Sequence, residues 1–491
     1  MTTQTLETTE RRLHIGGESV DAAEGGSYDD RDPYTGDVVA RIPAAGRDDA
    51  RRAIEAAAEA FPAWSQTPPA ARQELFLSAA AILQSRRDEI VELLARETGC
   101  AFGFGMFQMG FTTGMLRQAA NAGYQAVGEI IPSDLPGALA MGIRQPVGVV
   151  GAIAPWNAAL ILSLRGIAAP IAFGNTVVLK PSEWSPISGG LIWAEIFGEA
   201  GFPAGVLNIV TNAPGEAGPV GDEFVENPAV RRISFTGSTN TGRKVAEAAG
   251  RNLKRVVLEL GGYNPLLVLE DADLDYAVDA AAFGSFMHQG QICMSSRRIV
   301  VERPIADAFV ERLVEKTKGL KSGDPKEHDT IIGPLINEDA LEKVKGRVDA
   351  AVKAGAKVLV GGETEGSVYQ ATLLTDVPED SEFAQVETFG PVAAIEVVDG
   401  ADEAVERANA TPYGLAAGII TQDSDTGFVL AQRIQAGIVH VNDQPVHDEP
   451  QMPFGGVKDS GWGRFGARAA MDEFTELRWV TVQSGTRPFP F

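Results

Sequence analysis

Cysteine is almost absent from this sequence, with 2 residues among 491. A fold stabilised by disulfides needs several cysteines at regular spacings, so a disulfide framework is excluded. Such sparse thiol content favours a reducing compartment. The N-terminal segment, MTTQTLETTERR, has no apolar run and does not resemble a signal peptide. We therefore expect a cytoplasmic protein.

Basic charge and long hydrophobic runs are also scarce. Lys and Arg number 42 against 66 Asp and Glu, which gives a net charge of -24. This charge repels nucleic acids and anionic membranes, so neither is an expected partner. The most apolar region, residues 147–179, is interrupted by polar residues and proline, which favours buried α/β structure over a membrane span. The interrupting residues are Pro155, Asn157, Arg165, Pro170 and Asn175.

Short apolar segments alternate with helical patterns through the middle of the chain. This alternation predicts a parallel sheet with crossover helices, and a second α/β series begins near Gly261. The predicted strands of the first series are residues 146–157, 175–183, 206–211, 231–238 and 255–262. Helices are predicted at 47–60 and 70–98, and the chain before about Ala45 is expected to be peripheral.

Two segments have the pattern of extended arms. Residues 129–146, EIIPSDLPGALAMGIRQP, resemble a hairpin, and the tail at 477–483, LRWVTVQ, alternates apolar and polar residues. Arms of this kind often pair with a neighbouring subunit by strand addition. We therefore expect a homodimer or homotetramer.

One of the two cysteines, Cys293, lies in the polar segment HQGQICMSSRR at 288–298. A cysteine is most often a small apolar core residue. A thiol on a polar turn between two buried elements is instead a candidate nucleophile. The segment alone leaves both interpretations open.

A glycine turn, GSTNTG at 237–242, joins a predicted strand to a predicted helix. This arrangement offers backbone N–H groups to a phosphate, although such turns are also common for structural reasons. Lys180 and Glu183 follow another predicted strand. There they can either bind ribose hydroxyls or form a solvated loop pair.

These features belong to a series of motifs that runs through the whole chain. The motifs are APWN at 154–157, LKPSE at 179–183, FTGSTNTG at 235–242, LELGG at 258–262, GQICMSS at 290–296, ETFGPV at 387–392 and PFGGVKDSGWGR at 453–464. Each is modest, but the full set in this order is specific. The sequence resembles the aldehyde dehydrogenase superfamily, and within it the salicylaldehyde, vanillin and benzaldehyde dehydrogenases.

The resemblance implies an α/β fold of three domains. A Rossmann-type NAD-binding domain would comprise residues 1–124 and 147–258, and an α/β catalytic domain would comprise 259–470. The arms at 125–146 and 471–491 would form a small β oligomerisation domain. The implied reaction is NAD(P)-dependent oxidation of an aromatic aldehyde to the carboxylic acid, and the assignment includes no metal ion.

The resemblance also assigns three catalytic residues. Cys293 would add to the aldehyde as the nucleophile. Asn157 would stabilise the oxyanion together with the Cys293 backbone N–H, although it can equally be a turn or N-cap residue. Glu259 would activate water to hydrolyse the thioester, although an ion-paired strand carboxylate is the alternative. Family branches that transfer the acyl group to coenzyme A generally lack this carboxylate, so a free acid is the expected product.

A larger set of residues matches the family's cofactor contacts. Glu183 would accept both adenosine-ribose hydroxyls and repel a 2′-phosphate, which favours NAD. Ser182 can tolerate a phosphate, so NADP use stays open. The full set is Ile153, Ala154, Pro155, Trp156, Lys180, Ser182, Glu183, Gly221, Phe235, Gly237, Ser238, Gly242, Leu260, Gly261, Glu387 and Phe389.

The substrate contacts form a third set. At the helical angle, Asn157, Ile161 and Arg165 share one face, which would line a tunnel to Cys293. Arg165 would contact the ring of the substrate or form a structural ion pair. The predicted substrate residues are Arg165, Ile161, Met287, Ile292, Met294 and Phe454, and each apolar member can equally be a core residue.

Two positions depart from common family patterns. Tyr263 replaces a frequent Lys, and Phe465 replaces a frequent Glu, so a proton path through that carboxylate is absent.

Three other functions are alternatives to aromatic aldehyde oxidation. One alternative is an aliphatic or semialdehyde dehydrogenase. The others are a non-catalytic family member and a thiol esterase, and the presence of all three catalytic residues argues against a non-catalytic role.

Overall fold

The computed structural model describes residues 9–125 and 127–491. Within this part of the chain there are fifteen α-helices and twenty-three strands. The helices are α1 Arg47–Ser65, α2 Pro69–Ser85, α3 Arg87–Thr98, α4 Phe102–Ala122, α5 Ala159–Ala172, α6 Ile192–Ala200, α7 Gly218–Glu226, α8 Thr239–Arg251, α9 Leu274–Phe286, α10 Arg303–Lys318, α11 Glu338–Ala354, α12 Glu382–Gln385, α13 Ala401–Asn409, α14 Ser424–Ala431 and α15 Ala467–Phe474. None of these helices is both long and apolar enough to cross a membrane.

The strands form one eight-stranded sheet, one seven-stranded sheet and three small ones. They are β1 Thr9–Glu10, β2 Leu13–Ile15, β3 Glu18–Val20, β4 Ser27–Arg31, β5 Val38–Pro43, β6 Gly128–Ile131, β7 Ala138–Pro146, β8 Val149–Ile153, β9 Thr176–Lys180, β10 Leu207–Ile209, β11 Val230–Thr236, β12 Arg255–Glu259, β13 Asn264–Val268, β14 Ser296–Glu302, β15 Lys357–Val360, β16 Thr364–Glu365, β17 Val368–Tyr369, β18 Thr372–Thr375, β19 Val392–Val398, β20 Ala416–Ile420, β21 Ile438–Val441, β22 Gly461–Trp462 and β23 Thr475–Gln483.

The eight-stranded sheet has five parallel strands at its centre, in the order β10-β9-β8-β11-β12. Numbered along the chain, this is the 3-2-1-4-5 order of a doubly wound nucleotide-binding sheet. The order reverses between β8 and β11. Ligands of such sheets bind outside the carboxyl ends of the strands at this reversal, which fixes the expected site near the ends of β8 and β11.

The seven-stranded sheet carries the second half of the site. Its strands β18-β19-β14-β13-β20-β21 are parallel, and β15 is antiparallel at one edge. Strands β13 and β14 are buried along their whole length because helices cover both faces, as in most parallel sheets. Residues 260–263 connect β12 of the first sheet directly to β13 of the second. The segment before β14 contains Cys293, so the predicted nucleophile lies where the two sheets meet.

Three details of the fold differ from the sequence-based expectations. The chain before Ala45 is less peripheral than predicted, because β2 joins the edge of the eight-stranded sheet and buries Leu13. The helical pattern at 70–98 is two helices separated at Arg86. Helix α4 was not predicted. Its four glycines have low helix propensity, and its formation follows from burial against α2, α3 and α5.

The two arms pair with each other within the chain. Strand β23 is antiparallel to β7 from Thr475 opposite Pro146 to Gln483 opposite Ala138, and β6 completes a three-stranded sheet. Several large apolar side chains on this sheet are exposed, including Ile130 at 76% and Trp479 at 79%. The domain boundaries inferred from the resemblance stay a prediction.

Candidate active site

A cleft of about 610 Å³ opens between the two large sheets. One wall contains the segments that follow β8, β11 and β12. The opposite wall contains Cys293, the first turns of α11, and the segment with Glu387 and Phe389. The cleft therefore lies at the sheet edge that the strand order indicates.

The backbone before Cys293 adopts an unusual conformation. His288 and Gln289 have φ values of 50° and 52°, and Gly290 follows at 63°. Non-glycine residues in this left-handed region are strained, and they persist when surrounding contacts hold them. Gln289 Nε2 donates to the carbonyl oxygens of Gly99 and Pro334 at 2.8 and 2.9 Å. These bonds hold the segment in its strained form.

Arg297 and Asn264 fix the segment from the other side. The Arg297 guanidinium donates to the carbonyl oxygens of Gly390, at 2.6 Å, and Gly290. Asn264 Nδ2 donates to the carbonyl oxygen of Cys293 at 2.7 Å. The position of the thiol is thus set by buried side chains from both neighbouring strands.

Cys293 is half-buried, and its thiol is free. Burial raises the pKa of the Cys293 thiol to about 12, the carboxylates Glu387 and Glu259 raise it further, and Arg165 opposes them. The thiol is therefore protonated at neutral pH in this structure. Ionisation requires a base or a change in the local charge.

Asn157 lies just beyond β8 and is buried. Its Nδ2 donates to the carbonyl oxygen of Gln291 at 2.9 Å, and its side chain does not cap α5. An amide nitrogen carries two N–H donors, so one remains for a ligand. Asn157 therefore joins the end of β8 to the segment that carries Cys293.

Glu259 is the last residue of β12 and is buried. Neither of its carboxylate oxygens has a hydrogen-bond partner among the described residues. Burial raises its pKa well above the ordinary value, and Arg165 and Arg464 partly oppose this. A buried carboxylate with a raised pKa and free oxygens can accept a proton from water or a thiol.

Most of the predicted cofactor residues line the cleft. Trp156 and Phe389 meet edge to face, with ring centroids 5.6 Å apart. Glu387 accepts a hydrogen bond from the Gly262 N–H at 3.1 Å, and burial raises the pKa of its carboxyl to about 7. The lining residues from this set are Pro155, Trp156, Glu183, Gly237, Ser238, Leu260, Gly261, Glu387 and Phe389.

The remaining members of the set lie outside the cleft lining. Phe235 packs beneath Gly237, where a Cβ would come within 2.8 Å of its ring. Lys180 is buried and donates to the Pro181 carbonyl oxygen at 3.0 Å, and burial lowers its pKa. Gly221 lies in α7. The members outside the lining are Ile153, Ala154, Lys180, Ser182, Gly221, Phe235 and Gly242.

Helix α11 contributes residues to the cleft that were not predicted from the sequence. Asn337 caps this helix by accepting from the Ala340 N–H at 2.8 Å, and Lys343 and Arg347 lie one turn apart on the cleft side. Arg347 also donates to the Glu387 carbonyl oxygen. The start of this helix could have been predicted from the sequence, because the cap residue Asn337 precedes the charged helical pattern EDALEKVKGR.

None of the six predicted substrate residues lines the cleft, and the five apolar ones belong to or pack against the large core cluster that extends from Trp64 to Phe474. Ile161, Ile292, Met294 and Phe454 are buried in this cluster, and Met287 and Cys293 pack against it half-buried. Phe465 is backbone-paired with Phe454, in both directions at 2.9 and 3.0 Å.

Arg165 is the charged member of this region. Its guanidinium pairs with Asp448 and lies 4.0 Å from the ring centroid of Phe454. Its Nη1 has no partner within the described ranges. The structure thus contains the ion pair that was one of the two interpretations, while the contact with a substrate ring stays a prediction.

Comparisons with known proteins agree with this architecture. Residues 20–480 match the model of the "Aldehyde dehydrogenase family". A vanillin dehydrogenase of Pseudomonas fluorescens is 47% identical over 97% of this chain and 99% of its own length. A benzaldehyde dehydrogenase [NAD(+)] of Pseudomonas putida is 43% identical, with 96% of each chain covered.

A solved structure is similarly close. The crystal structure of a salicylaldehyde dehydrogenase from Pseudomonas putida G7, complexed with salicylaldehyde, has a TM-score of 0.96. It is 40% identical and covers 98% of this chain and all 100% of its own. The expected resemblance and fold are confirmed. The chain belongs to the aldehyde dehydrogenase family and is an oxidoreductase that acts on aldehydes.

Proposed function

We propose that this enzyme oxidises aromatic aldehydes to carboxylic acids with NAD, through a thioester on Cys293. The observation that carries the proposal is the cleft wall itself. A free thiol, a buried amide donor and a buried carboxylate lie along one cleft, namely Cys293, Asn157 and Glu259. The carboxylate has no hydrogen-bond partner in the part of the chain that the structure describes.

In the first step the Cys293 sulfur adds to the carbonyl carbon of the aldehyde. The thiol proton passes to solvent water in the cleft, and the carbonyl electron pair moves onto oxygen. The resulting oxyanion accepts from Asn157 Nδ2 and from the Cys293 backbone N–H. When bound, the nicotinamide supplies the two-electron oxidation that converts this adduct to the thioester.

In the second step Glu259 takes a proton from water, and the water oxygen adds to the thioester carbon. The carbon–sulfur bond then breaks, the acid leaves, and the sulfur recovers a proton. The raised pKa of Glu259 suits this role because a weakly acidic carboxyl is a stronger base once ionised.

The cleft residues fit a dinucleotide. The volume of the cleft, about 610 Å³, is within the ordinary range for small-molecule sites. Gly237 and Ser238 line the cleft at the start of α8, where backbone N–H groups of a helix N-terminus can bind a phosphate. Glu183 would hold the adenosine ribose and disfavour a 2′-phosphate, and Glu387 would hold the nicotinamide ribose. These placements favour NAD over NADP.

The aromatic substrate class has two supports. The five apolar residues predicted to contact the substrate belong to or pack against the same core cluster as Cys293, so the surroundings of the thiol are apolar. Relatives over nearly the full length are named for vanillin and benzaldehyde. We further propose that the unpartnered Nη1 of Arg165 faces a polar ring substituent.

The arms support a homodimer or homotetramer. The sheet β6-β7-β23 has two open edges and exposed apolar side chains, which suit pairing with a second copy. We assign this sheet to the oligomerisation domain, with the catalytic and NAD-binding domains divided as the resemblance implies. Light scattering of wild type and of a chain ending before Thr475 tests this assignment.

The decisive experiment is steady-state kinetics with NAD and NADP over benzaldehyde, vanillin, salicylaldehyde and hexanal. We expect kcat/KM for the aromatic aldehydes to exceed that for hexanal by about tenfold or more. An inverted order would favour the aliphatic alternative. Cys293→Ala should abolish oxidation while NAD still binds, and ester turnover without any oxidation by wild type would indicate an esterase.

A further inference from the structure

Arg165 and Asp448 form a buried ion pair, with side chains 5% and 9% exposed, and the Arg165 guanidinium lies over the Phe454 ring. The next residue, Gly455, packs against Glu259 so closely that a Cβ there would lie 2.6 Å from Oε1. Cys293 packs against the same apolar cluster as Phe454. A buried pair of this kind costs desolvation energy that its mutual attraction only partly offsets. Such a pair is therefore a weak source of stability, and its position next to Cys293 and Glu259 needs another explanation.

The charge of Arg165 acts on both predicted reacting groups. Of the cations near Glu259 it lowers the pKa of that carboxyl the most, and it also lowers the pKa of the Cys293 thiol. Asp448 acts on the same two groups in the opposite direction. The positive charge of Arg165 that acts on Cys293 and Glu259 is therefore partly cancelled by the negative charge of Asp448.

We propose that Asp448 is a positioning residue for the reaction, which holds the Arg165 guanidinium against Phe454 and sets how much of its charge reaches Cys293 and Glu259. The proposal rests on the function proposed above, in which Cys293 is the nucleophile. It adds Asp448 to the residues that determine when that thiol ionises.

Other charges face these groups and must be kept constant in any test. Those that act on the thiol or on Glu259, besides the pair itself, are Glu387, Arg464 and Glu473, together with the mutual effect of Cys293 and Glu259. Next to Asp448, the imidazole of His447 hydrogen-bonds to Asp443 at 2.5 Å, and it also acts on the Asp448 carboxyl. All variants are therefore compared at a single pH.

The test is the rate of Cys293 alkylation by iodoacetamide in the full-length protein, at pH 8.5 and without aldehyde or nucleotide. Asp448→Asn removes the anion and keeps the shape, so Arg165 acts at full strength and the thiol ionises more readily. We expect alkylation to be roughly three- to tenfold faster, because each unit of thiol pKa changes the thiolate fraction about tenfold. Arg165→Met should slow it by a smaller factor, because Asp448 then takes up a proton and the opposing charge is lost as well.

The double variant separates an electrostatic role from a structural one. Without Arg165, a buried Asp448 takes up a proton and loses its charge, so Asp448→Asn should have no further effect in the Arg165→Met background. Asp448→Glu, which retains the charge, should stay near the wild-type rate. Asp448→Ser removes the same charge with a smaller side chain and serves as the second neutral variant.

Two controls complete the experiment. Cys293→Ala gives the background from Cys100, which is buried and whose pKa is raised to about 12. Equal alkylation rates in wild type and both neutral variants would overturn the proposal, as would an undiminished effect in the double variant. Failure of the proposed function can be told apart from failure of the Asp448 proposal, since it would appear as aldehyde oxidation by the Cys293→Ala variant.

Discussion

The Asn157 side chain donates a hydrogen bond of 2.9 Å to the carbonyl oxygen of Gln291, two positions before Cys293. This bond connects the end of β8 in the eight-stranded sheet to the strained segment that precedes β14. The second N–H of the same amide is the donor that we propose for the oxyanion. The position of the donor and the position of the thiol are consequently coupled.

Replacement of Asn157 by Ala should lower kcat by roughly 10²–10³-fold, the usual loss for one oxyanion donor. The measurement is steady-state oxidation of benzaldehyde with NAD. Asn157→Asp is the matched control, because it keeps the size and removes the donor, so it should be impaired as well. A kcat close to the wild-type value in both variants would contradict the role.

Glu259→Gln should separate the two halves of the reaction. If Glu259 activates water, thioester hydrolysis slows by roughly 10²–10⁴-fold while the oxidation step continues. Rapid mixing should then show a burst of NADH close to one equivalent per active site, followed by slow turnover. Mass spectrometry should detect the acyl group on Cys293. Absence of the burst, with a normal steady-state rate, would rule out this role.

Glu183→Gln tests the choice between NAD and NADP. The carboxylate lies in the cleft wall after β9 and would repel a 2′-phosphate. Its neutral replacement should raise kcat/KM for NADP and lower it for NAD, so that the ratio changes by about tenfold or more. The same substitution should leave the KM for aldehyde unchanged. An unaltered NAD to NADP ratio would exclude Glu183 as the discriminating residue.

The alternation of apolar strands and helices was enough to predict the parallel sheets, because buried parallel strands are apolar along their whole length. The motifs then located Cys293, Asn157 and Glu259, which lie along one cleft because β8 and β12 end there and β14 begins there. The sequence could not supply this proximity, since it depends on how two separate sheets pack.

Other features were hidden by competing physical effects. Helix α4 has glycines that lower its propensity, and only tertiary burial stabilises it. Asp448 was not considered a partner of Arg165, because the two are 283 positions apart in sequence. The strain at His288 and Gln289 depends on distant carbonyl groups that hold those residues. Long-range contacts of this kind leave no periodic pattern in the sequence.

The pKa of Glu387, raised to about 7 by burial, predicts a pH dependence of nucleotide binding. If its ionised carboxylate accepts from the ribose hydroxyls, binding is full above this value and weakens as the pH falls through it. The dissociation constant for NAD should rise by up to about tenfold per pH unit below 7. Quenching of the intrinsic tryptophan fluorescence is the measurement, since Trp156 and Trp184 both line the cleft. Glu387→Gln should bind NAD more weakly at pH 8 and lose most of this dependence, and a variant that keeps the full dependence would show that another group is responsible.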